Sequence, residues 1–245
     1  MRIYLNFCLF STLCFLISNS ACQKEENNTD SQESFNVITT YSKSNFPLIW
    51  RPVMFGNQID DYNDLTYNME VFISIYEPNF LNKYIDNIYV IKDLRNVLGQ
   101  EFGGTVNNKN IYANDFNLNS VLHHELSHIY HNENKELFPE EEWLQINGNN
   151  FSYSGSGMQY ILFGSESENG ISLDSLHSLG FLNQYSTSSI DEDIAVFCEM
   201  LHSDYQKRQE TLEIINSNQK LKQKYSLLSE FFLRIGLKTS FTSFK

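Results

Sequence analysis

Four of the chain's six histidines, together with one glutamate, fall in the stretch VLHHELSHIYHN, Val121 to Asn132. Inside it, His124, Glu125 and His128 spell H-E-x-x-H. Helical positions four apart lie on one face, one turn above the other, so both imidazoles can reach a common point. Zinc takes imidazole nitrogen at about 2.0–2.1 Å, and a water on such an ion has its pKa lowered toward about 7. Glu125 lies beside the pair, where a general base would take that water's proton. The chemistry on offer is metal-assisted hydrolysis. The competing reading is a helix that carries histidines by chance, because a five-residue pattern recurs by accident.

A catalytic zinc site needs three protein ligands and an open fourth position, so the rest of the chain must supply a third. The longer pattern H-E-x-x-H-x-x-G-x-x-H is not met: His131 stands at its glycine and Asn134 at its last histidine. His131 lies a turn too far along to share the ion and reads as an outer-shell or surface residue. His123 points to a different face. The better candidate is Glu192, in YSTSSIDEDIAVFCEMLHS, Tyr185 to Ser203. Carboxylates favour helix N-termini, so ordinary capping would also produce this D-E-D. Tyr185 precedes Glu192 by seven residues, Ala195 follows it, and Glu199 comes one apolar run later. Asp193 and Glu199 are the alternatives for the third ligand.

This arrangement resembles the glutamate zincins related to anthrax lethal factor and to the Mlc titration factor peptidases. There, H-E-x-x-H is completed by a glutamate in an E-x-F-A helix, and a tyrosine seven residues earlier reaches into the site. The chain is more similar still to the zinc metallopeptidase lipoproteins that accompany SusC/SusD-type uptake systems. It carries Gly103-Gly104-Thr105, HHELSHIYHN, LGFLNQYS and EDIAV in that order, over most of Phe80–Ser203. The resemblance implies Zn2+ held by His124, His128 and Glu192, with Glu125 and Tyr185 catalytic and a peptide or protein as substrate. It also implies a SusC/SusD-type complex as partner. Ile194 departs from the usual aromatic and Val196 from the usual glutamate; neither is a ligand.

The elements that must position these residues can be read around them. DLTYNMEVFISIYEPNFLNKYI, Asp64 to Ile85, reads as an amphipathic helix broken near Pro78, and NIYVIKDL as a strand. EFGGTVNNKNIYAN reads as two short strands around an Asn107-Asn108 turn, the strand after Gly104 being a possible sheet edge. Helix is expected from about Leu118 to Tyr130, with Asp115, Asn117 and Asn119 as capping side chains. A short helix starts at Pro139, and a loop rich in Gly, Ser and Asn runs from Asn147 to Gly170. From Ile190 the chain reads as nearly all helix. Its last segment, Asn218 to Ile235, aligns Leu221, Tyr225, Leu228, Phe231 or Phe232, and Ile235. The fold class is α+β: a small sheet and an active-site helix, then a mainly helical C-terminal part. The resemblance makes it zincin-like, as one domain over residues 35–245.

The net charge of −13, from 17 basic and 30 acidic residues, argues against a nucleic-acid partner, which requires a basic surface. Residues 1–21 read as a secretory signal, with Arg2 ahead of an apolar run too short to span a membrane. Cleavage before Cys22 would leave a lipid-bearing cysteine, followed by an acidic tether over residues 22–34. The expected place is the cell envelope, as a surface-exposed outer-membrane lipoprotein anchored at Cys22. Asn19 stands where an aliphatic residue is usual, and cleavage after Ser20 would give a free secreted protein. Cys198 then remains as a lone, apolar-flanked core thiol, without an internal disulfide. The alternative function is a non-catalytic zinc-containing surface lipoprotein assisting nutrient capture. Glu125 argues against it, because a structural site needs ligands but no base and is usually closed by four.

Overall fold

The computed structural model describes residues 2–3, 35–39, 43–47, 54–60, 62–157 and 171–237 of the chain. Signal and tether lie outside these residues apart from Arg2 and Ile3. So does most of the Gly/Ser/Asn-rich loop beyond residue 157.

The fold is α+β. Its strands are β1 (Arg2–Ile3), β2 (Asn36–Ile38), β3 (Met54–Asn57), β4 (Asn87–Asn96), β5 (Gly104–Asn107) and β6 (Asn110–Asn114). They run in the order β1-β2-β4-β6-β5, with β3 on the distal half of β4. β4 pairs parallel with β2 and β6 and antiparallel with β3, and β5–β6 is a hairpin. Removal of residues 1–21 would take β1 away and leave β2 at that edge. The β5–β6 turn is Asn108-Lys109, one residue later than the sequence suggests, with Asn108 at φ 53°. Asparagine tolerates that left-handed conformation better than most residues.

β4 shows how the sheet gets two apolar faces. Ile88 and Val90 join the main core, whereas Ile91 and Leu94 face a second, smaller one with Phe46, Met54, Phe102 and Tyr112. Ile91 and Leu94 are three apart, so strict alternation would put them on opposite faces. Asp93 resolves this. Its φ is 53° and the β3–β4 register shifts there, an extra residue that returns Leu94 to the face of Ile91.

Among the described residues, eight helices follow in the order α1 (Tyr62–Ile75), α2 (Pro78–Tyr84), α3 (Leu118–Glu133), α4 (Glu140–Asn147), α5 (Leu173–Leu179), α6 (Ile190–His202), α7 (Tyr205–Ser217) and α8 (Gln219–Arg234). The break at Pro78 falls where expected, because proline suits a first helical turn and not an interior. Helix α3 runs one turn past the expected Tyr130. Its start is Asn117 in the left-handed region at φ 53°, with no side-chain cap. Strands β2 and β3 and helix α5 were not legible in the sequence; all are short.

Helix α3 is the central element. Leu118, Leu122, Leu126 and Ile129 bury one stripe in the main core, each worth about 1.5–3 kcal/mol. On one side it meets β5 and β6, and on the other α6. The candidate residues therefore sit between a sheet edge and a second helix. The α6 start is fixed by Ser189, whose hydroxyl accepts from the Glu192 amide, a capping bond worth about 1 kcal/mol.

Two further histidines serve the core. His123 is fully buried, its Nδ1 2.7 Å from the Tyr76 hydroxyl, and its ring stacks on His202 at 4.9 Å. His202 Nδ1 donates to the Cys198 carbonyl at 2.8 Å. Burial pushes the His202 imidazole down to about 4. Its folded value lies below its unfolded value, so the stability it contributes is present above about pH 6.5 and is lost as pH falls toward 4. The slope is at most about 1.4 kcal/mol per pH unit, near 3 kcal/mol across the window. Urea unfolding from pH 7 to 4.5 should show this loss, and a His202→Phe protein should show a shallower one. Equal slopes in the two proteins would remove His202 as the cause.

Candidate metal centre

The H-E-x-x-H residues project from α3 toward the first turn of α6. His124 Nε2 lies 3.0 Å and His128 Nε2 3.4 Å from the same oxygen, Oε2 of Glu192. One donor atom from each of the three lies within 4.8 Å of the others. Three donors at zinc-ligand distances in a tetrahedral arrangement would be about 3.4 Å apart. Two imidazole nitrogens and a carboxylate oxygen also match the three-ligand set of catalytic zinc. Donor type and spacing therefore fit the ion that the sequence implies.

The electrostatics point the same way. Burial works against a proton on His124, but its contacts with Glu192 and Glu199 outweigh this and push the imidazole up to about 10. Burial also opposes charge on Glu192, yet the two imidazoles hold its carboxyl well below the usual range. Three carboxylates around two imidazoles demand positive charge, which a proton or a divalent cation can supply.

Glu125 is 4% exposed and outside the donor trio. Burial raises its carboxyl. Its side chain lies against Gly104 at the start of β5: a Cβ there would come within 2.9 Å of Glu125 Cγ and Oε1 and 2.8 Å of the Tyr112 carbonyl. Gly104 thus allows the sheet edge to approach the helix, which gives the Gly-Gly-Thr stretch a physical role that its spacing alone did not reveal. β5 is the end of the sheet order, as expected for the strand after Gly104.

Tyr185 opens a short 3-10 turn, Tyr185–Thr187. Its ring is 5.9 Å from that of His124, and its hydroxyl donates to Glu192. Burial, then the charges of Glu192 and Glu125, raise its pKa, so it remains a donor at working pH. Segment 153–157 closes this side. Ser154 and Gly155 amides donate to the Thr187 and Ser188 carbonyls, and Gly157 leaves no room for a Cβ beside Glu192 and Tyr185. That contact was not legible in the sequence.

The other candidates fall elsewhere. Asp193 points away from the donors and pairs with buried Lys224 at 2.6 Å. Glu199 faces the far side of the His124 ring, its Oε2 3.3 Å from Nδ1. His131 is neither a ligand nor a surface residue: it is 2% exposed and holds Asp191 Oδ1 at 2.9 Å, fastening α3 to α6. His123 is turned into the aromatic core, as its different face predicts. Cys198 is the buried thiol expected, 2.8 Å from the Tyr130 hydroxyl and pushed up to about 12 by burial.

No protein-family model and no curated protein matches the chain. Among solved structures, it is similar to a proposed zinc-binding metallo-peptidase from Bacteroides caccae. The TM-score is 0.46 and the identity 16%, over 70% of this chain and 69% of that one.

Proposed function

We propose that this chain is a zinc-dependent peptidase, with zinc held by His124, His128 and Glu192. The observation that carries this is the convergence of those three donors within 4.8 Å, with a buried non-ligand carboxylate, Glu125, next to them. When bound, zinc supplies Lewis acidity to a carbonyl and lowers the pKa of water. Glu125 takes the proton from the attacking water and passes it to the leaving amine; its raised proton affinity suits both transfers. Tyr185 donates to the oxyanion that develops on the scissile carbonyl. An extended peptide lies along the outer edge of β5, adding a strand by backbone pairing. The zincin-like character of the fold belongs to this same proposal. Peptide-library cleavage tests it: the zinc-loaded chain cleaves, and chelation stops cleavage. An uncleaved library with zinc bound would favour the nutrient-capture reading.

Tyr185→Phe should keep zinc and fold but lose about 10²–10³ in rate, the usual cost of one oxyanion donor. The loss should fall on kcat rather than KM. Wild-type turnover in this variant, or a lowered melting temperature with normal activity per folded molecule, would make the tyrosine a loop anchor only.

We propose further that Cys22 carries a lipid that holds the chain at the bacterial cell surface, in the company of a SusC/SusD-type complex. The lipid rests on the sequence ahead of the folded part, and the complex on the resemblance carried by the motifs of Phe80–Ser203. Among the described residues no helix is long and apolar enough to cross a membrane. Cys22→Ala should move the protein out of the membrane fraction; a wild type that is already soluble and lipid-free would place cleavage earlier.

A further inference from the structure

We propose that Glu199 is the positioning residue of the metal centre, fixing the tautomer and the tilt of the His124 imidazole. The proposal rests on the zinc-site reading above. Both ring nitrogens of His124 face a carboxylate from the same helix: Nε2 meets Glu192 Oε2 at 3.0 Å, and Nδ1 meets Glu199 Oε2 at 3.3 Å. The two glutamates are seven residues apart, nearly two turns and about 10 Å along α6, with similar facing. The imidazole spans the gap between them. A histidine that ligates through one nitrogen must keep that nitrogen free of a proton, and a carboxylate on the other nitrogen secures this. With the ion bound, Nδ1–H would donate to Glu199, which would leave the Nε2 lone pair free beside Glu192.

Position 196, one turn after Glu192, offers no acceptor: Val196 is fully buried in the main core. Glu199 is not itself within the donor trio. Its second oxygen, Oε1, lies 3.6 Å from Lys207 Nζ on α7, a partly exposed contact. That contact also defines the competing role, a half-exposed ion pair that merely ties α6 to α7.

Zinc affinity of the full chain, measured by competition with a fluorescent chelator, separates these roles. Glu199→Ala should weaken zinc by about 10–100-fold, the usual cost of removing a partner behind a ligating histidine. Glu199→Gln keeps an acceptor for Nδ1–H and should fall between Ala and wild type. Lys207→Met should leave the affinity unchanged. The Glu199 side chain is 29% exposed, so the fold should tolerate alanine, which the metal-free melting temperature checks. Unchanged affinity in Glu199→Ala, or an equal loss in Lys207→Met, overturns the proposal while leaving the zinc-site reading standing. A wild-type chain with no zinc affinity overturns both.

Discussion

Glu125→Gln should retain its zinc and lose about 10²–10⁴-fold in peptide turnover, the range a positioned general base contributes. The amide keeps the size of the carboxylate and its packing against Gly104, but it cannot accept a proton from water. Glu125 is not one of the three converging donors, so its replacement leaves the metal set complete. The check is turnover measured together with zinc per chain. Loss of zinc in step with activity would make Glu125 a ligand. Undiminished turnover would remove it as the base.

Lys224→Met should destabilise the fold by about 3–5 kcal/mol, the cost of leaving one charge of a buried pair alone. For a chain of this size the melting temperature should fall by roughly 10 °C. Lys224 and Asp193 are each 0% exposed. The ammonium donates to Asp193 Oδ2 at 2.6 Å and to the Gly180 carbonyl at 2.7 Å, and it lies 4.1 Å over the Phe181 ring. The same Asp193 oxygen accepts from the Tyr153 hydroxyl at 2.8 Å and from Trp143 Nε1 at 3.0 Å. Burial works against both charges, raising the carboxyl and lowering the ammonium, and the pairing offsets this. This hub joins α8, the first turn of α6, α4 and segment 153–157, so it also sets where Glu192 stands. Urea unfolding should therefore show the loss of stability, accompanied by weaker zinc binding. Adding Asp193→Asn to Lys224→Met should cost less than the sum of the single changes. A Lys224→Met loss below about 1 kcal/mol would mean that water reaches the pair.

The contrast between Glu192 and Lys224 shows what could be read without coordinates. His124 and His128 were legible because a spacing of four maps directly onto one helical face. Glu192 was reached only through the resemblance, since D-E-D at a helix start is also ordinary capping chemistry. Its neighbour Asp193 is an alternative that the sequence leaves open, and the fold turns it toward Lys224. Lys224 was not legible at all. It lies beside Leu221, Tyr225 and Leu228, where a long cationic side chain normally reaches water, and its partner is 31 positions away. His202 was hidden for the same reason: nothing local says that its face of α6 is covered by Tyr76 and His123. The sequence offers Glu199 only as an alternative ligand, and the orientation of the His124 ring reveals the nitrogen it meets. Burial of polar groups is decided by packing between distant segments, and periodicity within one segment does not carry it.

The zinc K-edge absorption spectrum of the full chain, loaded with one equivalent of zinc, tests the metal centre most directly. Zinc held by His124, His128 and Glu192 gives a shell of two imidazole nitrogens with oxygen at about 2.0–2.2 Å and no sulfur. The signal should collapse in the Glu192→Ala protein at equal zinc. A shell of three or four imidazoles, which His123 and His131 would have to complete, or a shell unchanged by Glu192→Ala, would contradict the assignment.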